Sequence, residues 1–139
     1  IRRHPEDRFE GSCPYHRDCL EGMASGPSIE KRWGKEGFEL FNNEKVWEIE
    51  SYYLAQAIAN YILTLSPKKV ILGGGVMKQE QLFPLIRKEV VNLLNGYIQA
   101  NEILEDIDSY IVPPGLGDNA GLAGAIALAQ NSLIEMRHL

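Results

Sequence analysis

Seven consecutive residues hold the densest chemistry in the chain: Cys13-Pro14-Tyr15-His16-Arg17-Asp18-Cys19. They offer two thiols and an imidazole in the pattern Cys-x2-His-x2-Cys, and His4 stands nine positions before Cys13. Zinc takes thiolate and imidazole ligands in a tetrahedron, and short loops of this kind supply them. Spacing alone predicts a zinc site on Cys13, His16 and Cys19, with His4 as the fourth ligand. The competing readings are a Cys13–Cys19 disulfide and two free thiols beside incidental histidines. Two cysteines do not make a disulfide framework, and an isolated disulfide is rare in the cytoplasm. Nothing nearby suggests an activated water, so the site reads as structural.

Two glycine-bearing segments are the next candidates. Val70-Ile71-Leu72-Gly73-Gly74-Gly75-Val76-Met77 reads as a strand running into a glycine turn ahead of a helix. Glycines there let backbone approach a ligand, and a helix N-terminus favours anions. The segment is neither a P-loop nor a dinucleotide fingerprint, because both spacings are missing. By itself it is equally a plain tight turn. The second segment, Pro113-Pro114-Gly115-Leu116-Gly117-Asp118-Asn119-Ala120-Gly121, also leads from strand to helix. Two such loops at one end of a parallel sheet would form a shared crevice. The small residues after it, Gly124 and Ala127 among them, read as close packing.

The elements that must position these residues follow from periodicity. Short helices are expected over Leu20 to about Ser25 and Ser28 to about Trp33, the second closed by Gly34. Residues 44–65 repeat apolar side chains at three- and four-residue spacing, with Val46, Ile49, Tyr53, Ala57, Ile58, Tyr61, Ile62 and Leu65 on one face. Asn42 or Asn43 caps that helix and Ser66-Pro67 ends it. A strand at 69–72, a helix from about Glu80 to Gln99, a strand at Tyr110-Ile111-Val112 and a helix from Asp118 or Asn119 to about Leu133 complete the order. An α-β-α-β-α run implies two parallel strands joined by a right-handed crossover helix.

Apolar residues at 45% are enough for a core, so wholesale disorder is excluded. A net charge of -5 argues against a nucleic-acid surface, which needs a basic stripe. No apolar run approaches the roughly 18 residues of a membrane span, and no signal peptide is visible. The expected compartment is the cytoplasm. The opening Ile1-Arg2-Arg3, without Met, is expected to belong to a longer protein.

Taken together, the chain resembles the carboxyl-terminal half of a sugar kinase of the ROK family (repressors, open reading frames and kinases), in its zinc-bearing fructokinase branch. The resemblance is carried by His4-Pro5-Glu6-Asp7, Cys13-Pro14-Tyr15-His16, Cys19-Leu20-Glu21-Gly22, Ala24-Ser25-Gly26-Pro27, Leu72 to Met77 and Gly115 to Ala125. It implies an α/β chain, the ribonuclease-H-like half of an actin-like ATPase fold, with a zinc-binding loop. Residues 1–37 would be the zinc loop and sugar-side segment, and 38–139 the nucleotide-side domain. The implied reaction is ATP-dependent phosphorylation of a hexose, fructose to fructose 6-phosphate, with magnesium accompanying ATP. The general-base Asp and first phosphate loop would lie in the amino-terminal half, so this chain alone would hold no catalytic residue and be inactive.

Position by position, the resemblance implies Cys13, His16 and Cys19 as zinc ligands. It places the fourth, a His, just upstream of residue 1, in conflict with the choice of His4. Glu21 matches a carboxylate that accepts from sugar hydroxyls; without the resemblance it reads as a solvated helix-start Glu. Ser25, Gly26, Pro27, Gly74, Gly75, Val76, Met77 and Lys78 match the nucleotide side. The amino-terminal half of the same enzyme and a second copy, giving a homodimer, are the implied protein partners. The alternatives are half of a sugar-sensing repressor of the same family, and a stand-alone zinc-stabilised interaction module.

Overall fold

The structure, a computed structural model, describes residues 1–136. Helix α1 spans only Leu20–Met23, because Ala24 leaves helical geometry and Ser25 is already extended as the cap of the next helix. Helix α2, Gly26–Trp33, starts two residues earlier than the apolar pattern suggests. Ser25 caps it by accepting from the Ser28 N–H at 3.3 Å, and Pro27 fits the first turn, where a missing N–H is harmless. Gly34 closes it with an N–H bond to the Glu30 carbonyl. Helix α3 runs over Glu44–Leu65 as its periodicity predicts. It ends where Ser66 turns left-handed (φ 45°) and Pro67 cannot continue a helix. Asn43 precedes α3 but makes no side-chain cap bond.

Strand β1 is Val70–Ile71, followed by the glycine loop and a 3-10 turn at Val76–Lys78. Helix α4 is Leu82–Leu94, shorter than the apolar repeat to residue 99. The repeat outruns the helix because Asn95 and Gly96 both take positive φ, while Ile98 still packs on the core from the irregular segment beyond. Two single-turn helices that periodicity could not show, α5 (Asn101–Leu104) and α6 (Ile107–Tyr110), then lead into β2, Ile111–Val112. The strands pair in parallel, Val70 with Ile111 and Ile71 with Val112, as the element order requires. A 3-10 turn at Gly117–Asn119 opens α7, Ala120–Met136.

The main core joins Ile29 of α2, Trp47, Ile58 and Ile62 of α3, Leu82, Ile86 and Val90 of α4, and Ile111 of β2. Helices α3 and α4 thus bury their apolar stripes largely against one another. The α3 stripe is incomplete: Tyr61 and Leu65, on the expected inner face, are exposed. Trp47 donates its indole N–H to the Leu40 and Phe41 carbonyls, so its burial strands no polar atom. Met23, Ile49 and Tyr53 form a second cluster that seats α1 on α3. No helix among the described residues is long and apolar enough to cross a membrane.

Candidate functional site

A tight turn brings the three soft ligands together. Cys13 and Arg17 exchange backbone bonds, N–H of Arg17 to O of Cys13 at 3.0 Å and the reverse at 3.3 Å, with Arg17 left-handed at φ 54°. The ligand atoms of Cys13, His16 and Cys19 lie within 4.8 Å of one another. Tetrahedral zinc would draw such atoms to about 3.5–3.8 Å apart. That is a small contraction for a loop whose His16 is exposed. Backbone N–H groups of His16 and Tyr15 aimed at the sulfur lower the Cys13 thiol to about 7. Two thiols and an imidazole, one thiol already poised to ionise, fit zinc by donor chemistry. His4 is not in this group. Its ring stands edge-on to Tyr52 with centroids 4.8 Å apart, and its Nδ1 accepts from the Glu6 N–H at 3.2 Å. The residue that spacing alone would choose as fourth ligand thus stands apart from the other three.

Glu21 is exposed on α1, two residues beyond the last thiol. Every carbonyl of this one-turn helix is satisfied. Leu20 O accepts from Ala24 N–H, Glu21 O from the Ser28 hydroxyl, Gly22 O from Ser12 N–H, and Met23 O from the Arg32 guanidinium. A helix end buried without partners would be costly, and here its own cap, the Ser12 segment and α2 provide them.

Behind α1 lies a buried charged cluster that no sequence motif singles out. Arg32 meets Asp7 at 3.2 Å and is sandwiched near the Phe9 and Tyr53 rings, at 4.7 and 5.6 Å. Tyr53 donates its hydroxyl to Asp7 at 2.7 Å, and its own ionisation is pushed up to about 12 by burial and by that bond. Glu50 is fully buried at 3.9 Å from Arg32, without a hydrogen bond to either carboxyl oxygen among the described residues. Burial raises its carboxyl to about 8; the Arg32 charge opposes this and Asp7 adds to it. The distance alone would suggest an ion pair, but Arg32 is already bonded to Asp7 and Met23, and burial outweighs its remaining pull. The only sequence signal is Asp7 within the His-Pro-Glu-Asp stretch.

The two glycine loops leave the same end of the parallel strand pair, and the structure brings them into contact. A Cβ on Gly73 would come within 2.9 Å of the Pro114 ring, so glycine permits the approach. Lys78 Nζ reaches Asp118 at 3.2 Å, tying one loop to the other across an exposed gap. Gly74 and Gly75 are exposed, whereas Val76 and Met77 turn inward against the main core. A ligand on this loop would therefore meet backbone and Lys78 rather than those two side chains. The α4 N-terminus does not follow the glycines directly, because the 3-10 turn intervenes. Gly26 and Pro27 are exposed at the start of α2, while the Ser25 hydroxyl is engaged as its cap. Among the described residues no hydrogen bond joins Ser25, Gly26 or Pro27 to the Gly74–Lys78 segment.

Residues 3–132 match the family described as ROK family. A protein of Bacillus subtilis (strain 168) named "Putative fructokinase" is 56% identical over 96% of this chain and 44% of its own length. The fructokinase of Pediococcus pentosaceus is 48% identical over 96% of this chain and 45% of its own. The chain thus spans less than half the length of these curated relatives. In three dimensions it is similar to a ROK hexokinase from Thermus thermophilus, with a TM-score of 0.62 at 23% identity over 82% of this chain and 41% of that one. That likeness is one of fold, and it bears out the expected actin-like ATPase fold.

Proposed function

The chain belongs to the ROK family, and on that premise we propose that it is part of a kinase that phosphorylates fructose at the expense of ATP. The observation that carries this reading is identity of 56% and 48% to fructokinases across nearly the whole chain. These relatives are kinases by name and lend nothing to the repressor alternative. Because the chain spans less than half of each, the reading concerns the intact enzyme, whose remaining part would bring the general base and the first phosphate loop.

Within it, Cys13, His16 and Cys19 would hold a structural zinc, completed by a further ligand, which pins the exposed loop ahead of α1. Glu21 would accept hydrogen bonds from sugar hydroxyls, as an exposed carboxylate on a rigidly capped turn can. Gly74, Gly75 and Lys78 would face the nucleotide with backbone N–H groups and one ammonium, and Gly26 and Pro27 with exposed backbone. Phosphoryl transfer depends mainly on such positioning and charge stabilisation. Magnesium would arrive with ATP.

The test is steady-state kinetics on the full-length enzyme. Glu21→Gln removes a charged acceptor, a bond worth roughly 1.5–3 kcal/mol. KM for fructose should rise about ten- to a hundredfold, with KM for ATP little changed. An unchanged fructose KM would return Glu21 to the role of a solvated helix-start residue.

A further inference from the structure

The structure assigns Ser28 as a positioning residue for sugar recognition: its buried hydroxyl fixes the turn of backbone that presents Glu21. The inference rests on the reading of Glu21 as a sugar contact.

Ser28 has no exposed surface, and its Oγ has three polar neighbours. The Glu21 carbonyl lies at 3.0 Å, the Ser25 hydroxyl at 2.8 Å and the Ser12 hydroxyl at 2.8 Å. A carbonyl can only accept, so the single Ser28 proton goes to Glu21. The two lone pairs are then left to accept from Ser25 and Ser12, which fills the bonding capacity of a hydroxyl. Ser25 is free to donate because its lone pair already accepts from the Ser28 N–H. The Ser28 and Ser25 protons each have one destination, whereas the Ser12 proton has two, Ser28 at 2.8 Å and the more distant Gly22 carbonyl at 3.4 Å.

The position matters as much as the bonding. Glu21 is part of a helix of four residues, Leu20–Met23, too short to hold itself. Ser12 and Arg32 cap the carbonyls of Gly22 and Met23, but among the described residues Ser28 alone takes the carbonyl of Glu21 itself. Ser28 sits in the first turn of α2, which is anchored in the main core through Ile29. Met23 seats the turn on α3, and the Ser28 hydroxyl adds the bond that ties the Glu21 peptide itself to α2.

Kinetics on the full-length enzyme test this with Ser28→Ala, Glu21→Gln and the double variant. Ser28→Ala should raise the fructose KM about three- to tenfold, the loss of one neutral hydrogen bond. KM for ATP and kcat should stay near the unsubstituted values. In the Glu21→Gln background the same change should add less than about twofold, because contributions that act through one group are not additive. Ser28→Cys, of nearly the same size and a weak donor, should shift the fructose KM in the same direction, and it carries the test if the alanine variant does not fold. A fructose KM raised by Glu21→Gln but untouched by both Ser28 variants would overturn the inference alone. An undiminished effect of Ser28→Ala in the Glu21→Gln background would also overturn it, showing that Ser28 acts elsewhere. No response to Glu21→Gln would overturn the sugar-contact reading itself.

Discussion

The α-carbon of Gly22 lies so close to the Arg17 carbonyl that an added Cβ would stand 1.7 Å from that oxygen and 2.9 Å from the Cys13 Cβ. Both obstacles belong to the Cys13–Cys19 loop, and the nearer is backbone, which cannot swing aside like the end of a side chain. Gly22→Ala should therefore spread the loop from α1 and separate Cys13 from Cys19. The expected outcome is zinc content falling from about one per chain to a small fraction of that, measured on purified full-length protein by elemental analysis. Full zinc content in the variant would show that the loop has slack the packing does not suggest.

Removal of zinc by a chelator should melt residues 1–25 locally while α3 and α4 stay folded. Metal binding supplies folding free energy to the segment it ties, and the core of α3 against α4 contains none of the three ligands. Hydrogen exchange should show lost protection at Met23 and Ala24, whose N–H groups close α1, with protection at Ile58 and Val90 retained. Uniform loss of protection would mean that the loop and the core unfold together.

Glu50 makes stability fall as pH rises. Its folded carboxyl titrates at about 8, against 4.5 unperturbed. Between those values the folded chain holds a proton the unfolded chain has released, so protons favour folding there. The contribution is fully present below 4.5 and is lost as pH rises through about 8. Glu50→Gln keeps the neutral shape and should flatten this decline, with a higher Tm than the parent at pH 8 and a similar one at pH 4.5. Parallel Tm–pH curves for the two proteins would contradict a neutral buried Glu50.

The 139-residue chain alone should show no turnover in a coupled assay with ATP, magnesium and fructose. It spans 40–45% of the fructokinases it matches, and no paired general base and phosphate loop is evident on it. Addition of the remaining part of the enzyme should restore activity. Turnover by the chain alone would mean that the division of labour is different.

Legibility in the sequence tracked locality. The Cys13–His16–Cys19 cluster is legible because its members lie within seven residues, and α3 because its repeat runs for 22 residues. Helix α4 was overextended because apolar spacing continues past Asn95-Gly96, where two left-handed residues end the helix but not the burial. The Asp7–Arg32–Glu50–Tyr53 cluster is not legible as a unit, since its members come from three separate segments and meet only in the folded chain; only Tyr53 belongs to a periodic repeat. Ser28 was hidden for a similar reason: inside a helix pattern it looks like any polar residue, and only the fold shows that its hydroxyl faces inward.

The cluster around Arg32 also constrains how this sequence can change. With its side chain 5% exposed and Asp7 3% exposed, neither charge can turn to water when the other is lost. Removing one partner of such a pair costs about 3–5 kcal/mol, whereas replacing both by well-packed apolar residues can be neutral. Arg32 and Asp7, 25 positions apart in sequence, therefore form a single unit of inheritance. A lineage that drops one passes through a crippled intermediate before it can drop the other, and the surviving sequences should keep or lose the two together.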